Sequence, residues 1–238
     1  MVGAVVAAAG LVGCADVAGP AGEASGRVTP SAGTSSATPS GTPTAGPASA
    51  PTTSPTVPRT PSPTAKRTTT TVASMAIPAL GVRRLRVVPY VGTADDRPGT
   101  VIQDRGVAAS PRGKAGGVGP GEIGNYIITA HRTTHGRPFG RVPELKNGDH
   151  ILVTANGFVY DYVVSRTMTI SFRKPAEKAQ QNAAVPGRPG VTPTQAVITL
   201  STCATPEDHA AGNYWSDALG NPEHRINKIG TLVATRPA

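Results

Sequence analysis

The chain has 238 residues, a formal net charge of +9, 24 prolines, 28 glycines and only 4% aromatic residues. This length allows one domain of ordinary size together with a tail. A basic chain of this kind suits an anionic cell wall, an anionic membrane surface or nucleic acid. Nucleic acid is disfavoured, because the basic residues are scattered and do not alternate with aromatic side chains that would stack on bases.

Residues 1–14 form an apolar leader that ends in a cysteine. The run MVGAVVAAAGLVG is too short to cross a bilayer, which takes about 20 apolar residues, but it has the length of a signal-peptide core. The junction Leu11-Val12-Gly13-Cys14 resembles the lipobox of bacterial lipoproteins, which implies that Cys14 is acylated. The alternative is a chance cysteine in an apolar leader, since no Lys or Arg precedes Arg27. We therefore expect an exported protein, lipid-anchored on the outer face of the cytoplasmic membrane and facing the cell wall.

Residues 15–74 consist mainly of Ala, Gly, Ser, Thr and Pro. Such a segment has too few apolar side chains to form a core, so we predict a disordered linker. Its prolines favour extended polyproline geometry, at about 3.1 Å per residue. The linker would hold the following domain away from the membrane.

Residues 75–238 are predicted to form an all-β domain. Asn156-Gly157 separates two apolar runs, and this dipeptide is the strongest short signal for a β-hairpin. Short strands with Gly- and Pro-containing connections predict a closed antiparallel barrel or a sandwich, in which the two proline-interrupted first strands suit edges or bends. We also expect a helical turn at Pro143–Lys146 and a short helix at Pro175–Ala184. The predicted strands cover residues 75–82, 85–90, 125–130, 150–155, 158–164, 196–202 and 225–233.

Three residues that together can cleave an amide lie at predicted strand ends. His131 follows one strand, Cys203 ends another and Arg225 begins a third. A cysteine thiolate is a nucleophile, and a nearby imidazole takes up the thiol proton and later protonates the departing amine. A guanidinium stabilises the oxyanion, because it stays charged and offers several donors. If an amine resolves the thioacyl intermediate, the outcome is transpeptidation; if water does, it is hydrolysis.

The segments Ala130–Phe139, Leu145–Asp149, Thr199–Cys203 and His224–Ile226 resemble the sortase family, and most closely its class E. The resemblance implies a closed sortase-type β-barrel of about eight strands with one or two short helices. It also implies that Cys203 is the nucleophile, His131 its proton partner and Arg225 the cation beside the oxyanion. The expected substrate is a surface protein with a C-terminal LAxTG- or LPxTG-like sorting signal, cleaved between Thr and Gly and transferred to an amine of the peptidoglycan precursor.

Two further residues are candidates for the substrate-binding site. Thr202 directly precedes the nucleophile and is expected to shape the site by hydrogen bonding, and His135 lies four residues after His131. The segment Ala204–His224 is long for the family, contains the only tryptophan and is a candidate lid. No cofactor is expected, and neither a cysteine–histidine cluster with zinc spacing nor a carboxylate cluster for calcium predicts a metal site.

Other readings of the same residues remain open. A cysteine after an apolar strand is more often buried and inert, which leaves a barrel that only binds the cell wall. A cell-wall cysteine peptidase or hydrolase is the enzymatic alternative. A papain-like enzyme is disfavoured because it places Cys before His along the chain, and an L,D-transpeptidase because the HGC-type motif is absent.

Overall fold

The computed structural model describes residues 71–238. The predicted signal peptide, Cys14 and most of the predicted linker lie outside these described residues. The strands are β1 (Ala73–Ile77), β2 (Val82–Val91), β3 (Ala108–Arg112), β4 (Gly124–Thr129), β5 (His150–Ala155), β6 (Phe158–Ser171), β7 (Ala196–Cys203) and β8 (His224–Pro237). The helices are α1 (Arg97–Gln103), α2 (Pro175–Asn182) and α3 (Thr205–Ala210), with 3₁₀ turns at Pro78–Leu80 and Val142–Glu144.

The eight strands close into one barrel in the order β1-β2-β3-β4-β7-β8-β6-β5, and β5 pairs with β1. The predicted closed barrel of about eight strands is therefore confirmed. The expectation that all neighbours are antiparallel is wrong, because β2 pairs with β3 and β4 pairs with β7 in parallel. Parallel neighbours need a crossover connection. α1 lies in the connection from β2 to β3, whereas β5, β6 and α2 all lie between β4 and β7.

The short helices only partly follow the prediction. The turn at Val142–Glu144 and the helix α2 lie where the sequence indicates them, but the described part of the chain has three short α-helices rather than one or two. α1 begins with Asp96 as its N-cap, whose carboxylate accepts a hydrogen bond from the Gly99 N–H at 2.8 Å. None of the described helices has the length and apolar character that a bilayer span requires.

The turn residues between β5 and β6 and the alternation of side chains along β7 follow from the sequence. Asn156 and Gly157 both have positive φ, 53° and 78°, as the two central residues of a type I′ turn require. In β7, Ile198 and Leu200 belong to the barrel core. Because side chains alternate along a strand, Cys203 faces away from that core.

The two proline-interrupted strands are not at an edge, since β1 lies between β2 and β5. Pro78 begins the 3₁₀ turn after β1. Pro89 is paired with β3 and lies beyond Val87, the last β2 residue paired with β1. Pro89 has no N–H to donate, but β1 no longer pairs with β2 at this position, so no hydrogen bond between these two strands is lost.

Candidate active site

Three adjacent strands bring the predicted catalytic residues to one end of the barrel. The parallel pairing of β4 and β7 ends at Thr129 opposite Ser201. Beyond this pair, Ala130 N donates to the Ser201 carbonyl at 3.4 Å and Arg132 Nη1 donates to the Cys203 carbonyl at 3.2 Å, so the segment that carries His131 runs alongside the end of β7. On the other side of β7, Cys203 is directly paired with Arg225 of β8. The strand order β4-β7-β8 thus gathers residues that are far apart in the sequence.

The Cys203 thiol is half-buried, and its environment favours the neutral form. Burial is the main reason that its pKa is raised above the ordinary value of a thiol, and the negative charge of Asp95 raises it further. The positive charges of Arg225 and Arg132 act in the opposite direction. With its pKa raised in this way, the thiol carries its proton near neutral pH.

The Arg225 side chain is fully buried on the strand beside Cys203. Its Nε donates to Asp95 Oδ1 at 3.3 Å, and its Nη1 donates to the carbonyls of Pro222 and His224, each at 3.4 Å. The guanidinium also lies 4.1 Å from the centroid of the Phe172 ring, at a cation–π distance. Its Nη2 is buried and has no hydrogen-bond partner within residues 71–238. One donor of this fixed cation is thus without an acceptor in the described residues.

The His131 imidazole is held by a carboxylate that the sequence analysis did not identify. Its Nε2 lies 2.8 Å from Oδ1 of Asp104, which directly follows α1. Nδ1 makes no hydrogen bond to any residue that the structure describes. A carboxylate on one ring nitrogen fixes the ring orientation and leaves the other nitrogen available to exchange a proton.

Arg132 connects the segment after β4 to β7, the strand that ends at Cys203. Its Nη1 donates to the Cys203 carbonyl at 3.2 Å. The same guanidinium forms a two-point ion pair with Glu207 of α3, with Nη2 to Oε1 at 2.7 Å. A fork-shaped pair of this kind restrains geometry as well as charge. Arg132 therefore keeps the backbone next to His131 close to the backbone of Cys203.

The two predicted substrate-site residues have different surroundings. Thr202 is buried and its hydroxyl donates to the Ala130 carbonyl at 2.9 Å, which joins β7 to the end of β4. This contact shapes the site from within, and the Thr202 side chain is not on the face of β7 that carries Cys203. His135 is exposed, and its ring stacks on His131 with centroids 4.8 Å apart and an interplanar angle of 27°.

The segment 204–224, predicted as a candidate lid, is tethered at both ends. Ala204 N donates to the His224 carbonyl at 2.9 Å. The buried carboxylate of Asp208 in α3 accepts from His224 N at 3.0 Å and contacts His224 Nδ1 at 2.6 Å. Trp215 lies 5.9 Å from the Arg173 guanidinium. These contacts anchor the segment against β8 beside the site.

One group of side chains in the described residues has the composition of a metal site. Asp104, His131 and His135 each offer a ligand atom, and these atoms lie within 4.8 Å of one another. No short sequence spacing indicates this group, because Asp104 is 27 residues away from His131 along the chain.

Comparison with known proteins gives the family. The model of the Sortase domain family matches residues 75–218. A comparison with curated protein sequences found no match.

Solved structures with the same fold include the SrtA sortase from Actinomyces oris, which is 22% identical with a TM-score of 0.53. That match covers 70% of this chain and 82% of the other. Sortase E1 from Streptomyces coelicolor, solved with a tripeptide in the active site, is 22% identical with a TM-score of 0.52. Sortase E from Streptomyces avermitilis is 24% identical with a TM-score of 0.51. Both of these matches cover 71% of this chain and 91% of the other.

The eight-stranded barrel and the family match over residues 75–218 lead to one assignment. The chain belongs to the sortase family and is a cysteine transpeptidase of the sortase type.

Proposed function

We propose that this sortase is of the class E type and uses Cys203, His131 and Arg225 to cleave a C-terminal LAxTG- or LPxTG-like sorting signal between Thr and Gly. The acyl group is then transferred to an amine of the peptidoglycan precursor. The observation that carries the proposal is the pairing of Cys203 with Arg225, whose buried Nη2 has no partner in the described part of the chain. A buried donor without a partner costs about 1–3 kcal/mol, and a substrate oxyanion that reaches Nη2 would offset that cost.

The first half of the reaction forms a thioacyl intermediate. The Cys203 sulfur attacks the carbonyl carbon of the Thr residue, and the thiol proton passes to His131. The carbonyl oxygen becomes an oxyanion and accepts a hydrogen bond from Arg225 Nη2. When the tetrahedral intermediate collapses, the bond to the Gly nitrogen breaks and His131 returns the proton to that nitrogen.

The second half reverses these steps with a different amine. The acceptor amine attacks the thioacyl carbon, His131 takes the proton that the amine loses, and the oxyanion again lies against Arg225. Collapse releases the Cys203 sulfur, which regains the proton from His131. Asp104 supports both halves, because its negative charge stabilises the imidazolium that forms in each of them.

The class and the sorting signal are inferred from likeness. The motif around His131, the Thr199–Cys203 segment and the two class E structures of the same fold support class E. The tripeptide in the active site of the Streptomyces coelicolor enzyme supports an extended peptide substrate here. By the same resemblance, LAxTG is expected to be preferred over LPxTG.

The proposed location follows from the leader and the linker. A signal peptide in residues 1–14 with an acylated Cys14 places the enzyme on the outer face of the membrane, and residues 15–74 extend it toward the cell wall. Metabolic labelling with a palmitate analogue checks this directly. We expect label in the wild-type chain and none in Cys14→Ser, and equal labelling of both chains would contradict acylation at Cys14.

The catalytic proposal is tested by mass spectrometry on the full chain carrying Cys14→Ser. The protein is incubated with LAxTG and LPxTG peptides and a glycine-based or diaminopimelate-based amine, with and without Cys203→Ala. We expect a ligated product that ends at the Thr carbonyl and that disappears with Cys203→Ala. Hydrolysed peptide without ligation would favour a hydrolase, and binding without cleavage would favour a wall-binding barrel.

A further inference from the structure

The chain carries a second set of ligands around the proposed proton carrier. Asp104 Oδ1 lies 2.8 Å from His131 Nε2 and 3.6 Å from His135 Nδ1. All three ligand atoms lie within 4.8 Å of one another. In a tetrahedral zinc site with bonds of about 2.0–2.2 Å, neighbouring ligand atoms are about 3.3–3.6 Å apart. The two Asp104 distances lie at or below this range, so rotation of the side chains is needed to direct all three atoms at one ion.

The backbone is bent to bring the second imidazole to this place. His135 and Arg137 are non-glycine residues in the left-handed region, with φ of 48° and 54°. Such conformations are strained for residues with a side chain and are kept where the surrounding structure enforces them. Here Phe139, which is fully buried, donates from its N–H to the His131 carbonyl at 3.0 Å and closes the segment. The segment thus holds two imidazoles stacked, with their ring centroids 4.8 Å apart.

We propose that Asp104, His131 and His135 bind a divalent first-row metal ion, with Zn²⁺ as the best-suited ion, and that this ion reversibly inhibits the enzyme. Two imidazole nitrogens and one carboxylate oxygen are a typical zinc donor set that leaves a fourth position for water. The Asp104 and His135 side chains are 43% and 45% exposed, so an ion reaches the site from solvent without rearrangement of the barrel.

The inhibitory effect rests on the proposed function of His131. A metal ion on Nε2 prevents that nitrogen from carrying a proton, and an imidazolium needs a proton on both nitrogens. The metal-bound ring therefore cannot store the thiol proton or return it to the leaving amine. Metal binding also occupies the Asp104 carboxylate that orients the ring in the metal-free site. Binding of the ion and catalysis thus exclude each other.

Direct binding is measured by calorimetric titration of Zn²⁺ into the full chain carrying Cys14→Ser, which removes the thiol outside residues 71–238. We expect one ion per chain, with affinity at least about tenfold weaker in Asp104→Asn and in His135→Asn, as is usual when a metal site loses a partner. The matched control is His150→Asn, because His150 also contacts a carboxylate, Asp161, at 2.8 Å but belongs to no group of three possible metal ligands within residues 71–238. That variant is expected to bind Zn²⁺ as tightly as the parent.

Two further arms separate this proposal from the proposed reaction. The Cys203→Ala variant is expected to bind Zn²⁺ although it does not ligate peptides. Zn²⁺ binding can therefore be measured even if Cys203 is not the catalytic residue. In active protein, Zn²⁺ is expected to inhibit ligation reversibly, with recovery on adding a chelator. For His135→Asn, inhibition is expressed as a fraction of that variant's own rate without Zn²⁺. The Zn²⁺ inhibition constant obtained in this way is expected to be at least about tenfold higher than that of the parent. The proposal is overturned by absence of binding, by binding that survives both Asp104→Asn and His135→Asn, or by binding that is lost with Cys203→Ala.

Discussion

Asp95 restrains the site through charge, and its removal is the sharpest test of the local electrostatics. Its Oδ1 lies 3.3 Å from Arg225 Nε, and Oδ2 accepts from the Gln181 amide at 3.0 Å. Its side chain is 8% exposed and that of Arg225 is fully buried, so water screens the pair little. At an effective dielectric constant of about 20, two unit charges at this distance attract by about 5 kcal/mol before desolvation is counted.

The substitution Asp95→Asn removes the charge and keeps the shape. Asparagine is suited to this position because Asp95 has a φ of 64°, in the left-handed region where Asn is well tolerated. The variant leaves the buried Arg225 without the carboxylate in contact with it, and breaking a buried pair in this way costs about 3–5 kcal/mol. We expect a loss near 3 kcal/mol in the free energy of unfolding, since the amide oxygen still accepts a hydrogen bond.

The same substitution is expected to lower the pKa of the Cys203 thiol. The negative charge of Asp95 is one of the causes that raise this pKa, and the positive charge of Arg225 lowers it. With Asp95 neutral, both remaining charge effects favour the thiolate. The curve of alkylation rate against pH should therefore move to lower pH, and each full unit of movement corresponds to tenfold more thiolate at a fixed pH below the pKa.

The assay is the rate of iodoacetamide reaction at Cys203 across the pH range, in a Cys14→Ser background. The control is Asp96→Asn, because Asp96 caps α1 and does not contact Arg225. We expect the control to leave the curve unchanged. A curve for Asp95→Asn that stays in place, or that moves to higher pH, would refute the electrostatic reasoning for the site.

Three further substitutions follow from single contacts. Asp104→Asn is expected to lower kcat of ligation about tenfold with little change in KM, because the amide cannot stabilise the His131 imidazolium as a carboxylate does. Arg225→Lys keeps the charge but removes the free Nη2 donor, so kcat is expected to fall about 100-fold or more. Tyr162→Phe leaves the Gly121 N–H without its 2.7 Å acceptor and is expected to lower the free energy of unfolding by about 1–3 kcal/mol in urea titration.

Each of these results has a matched comparison. Tyr160→Phe removes a hydroxyl that makes no hydrogen bond to the described residues, and its stability is expected to stay within about 0.5 kcal/mol of wild type. Equal losses for Tyr160→Phe and Tyr162→Phe would show that the Gly121 contact contributes nothing. An Asp104→Asn enzyme with raised KM and unchanged kcat, or an Arg225→Lys enzyme with full activity, would disprove the corresponding contact's role in the reaction.

The strands that could be predicted are those with a strong local signal. The Asn156-Gly157 turn fixes the hairpin of β5 and β6, and a run rich in apolar and β-branched residues identifies β7 up to Cys203. β3 and α1 were missed, since the sequences Ala108–Arg112 and Arg97–Gln103 contain Pro or Gly and show no clear periodicity. The parallel pairings were missed for a different reason, because the sequence of a strand does not state which distant strand lies beside it.

The site was predictable only for residues that stand in motifs. His131, Cys203 and Arg225 lie in recognisable segments, whereas Asp95 and Asp104 contact their partners across 130 and 27 residues of sequence. Two aspartates near a short helix carry no local sign of these contacts. They are brought to the site by the crossover from β2 to β3, which only the folded barrel reveals.

The proposed reaction requires a covalent acyl intermediate on Cys203, and this intermediate can be trapped. The full chain carrying Cys14→Ser is incubated with a sorting peptide in the absence of an acceptor amine, quenched in acid and digested for mass spectrometry. The account predicts the acyl fragment ending in Thr as a thioester on Cys203, which is lost when an amine is added before quenching. Cleaved peptide together with an unmodified Cys203, or cleavage that persists in Cys203→Ala, would contradict it.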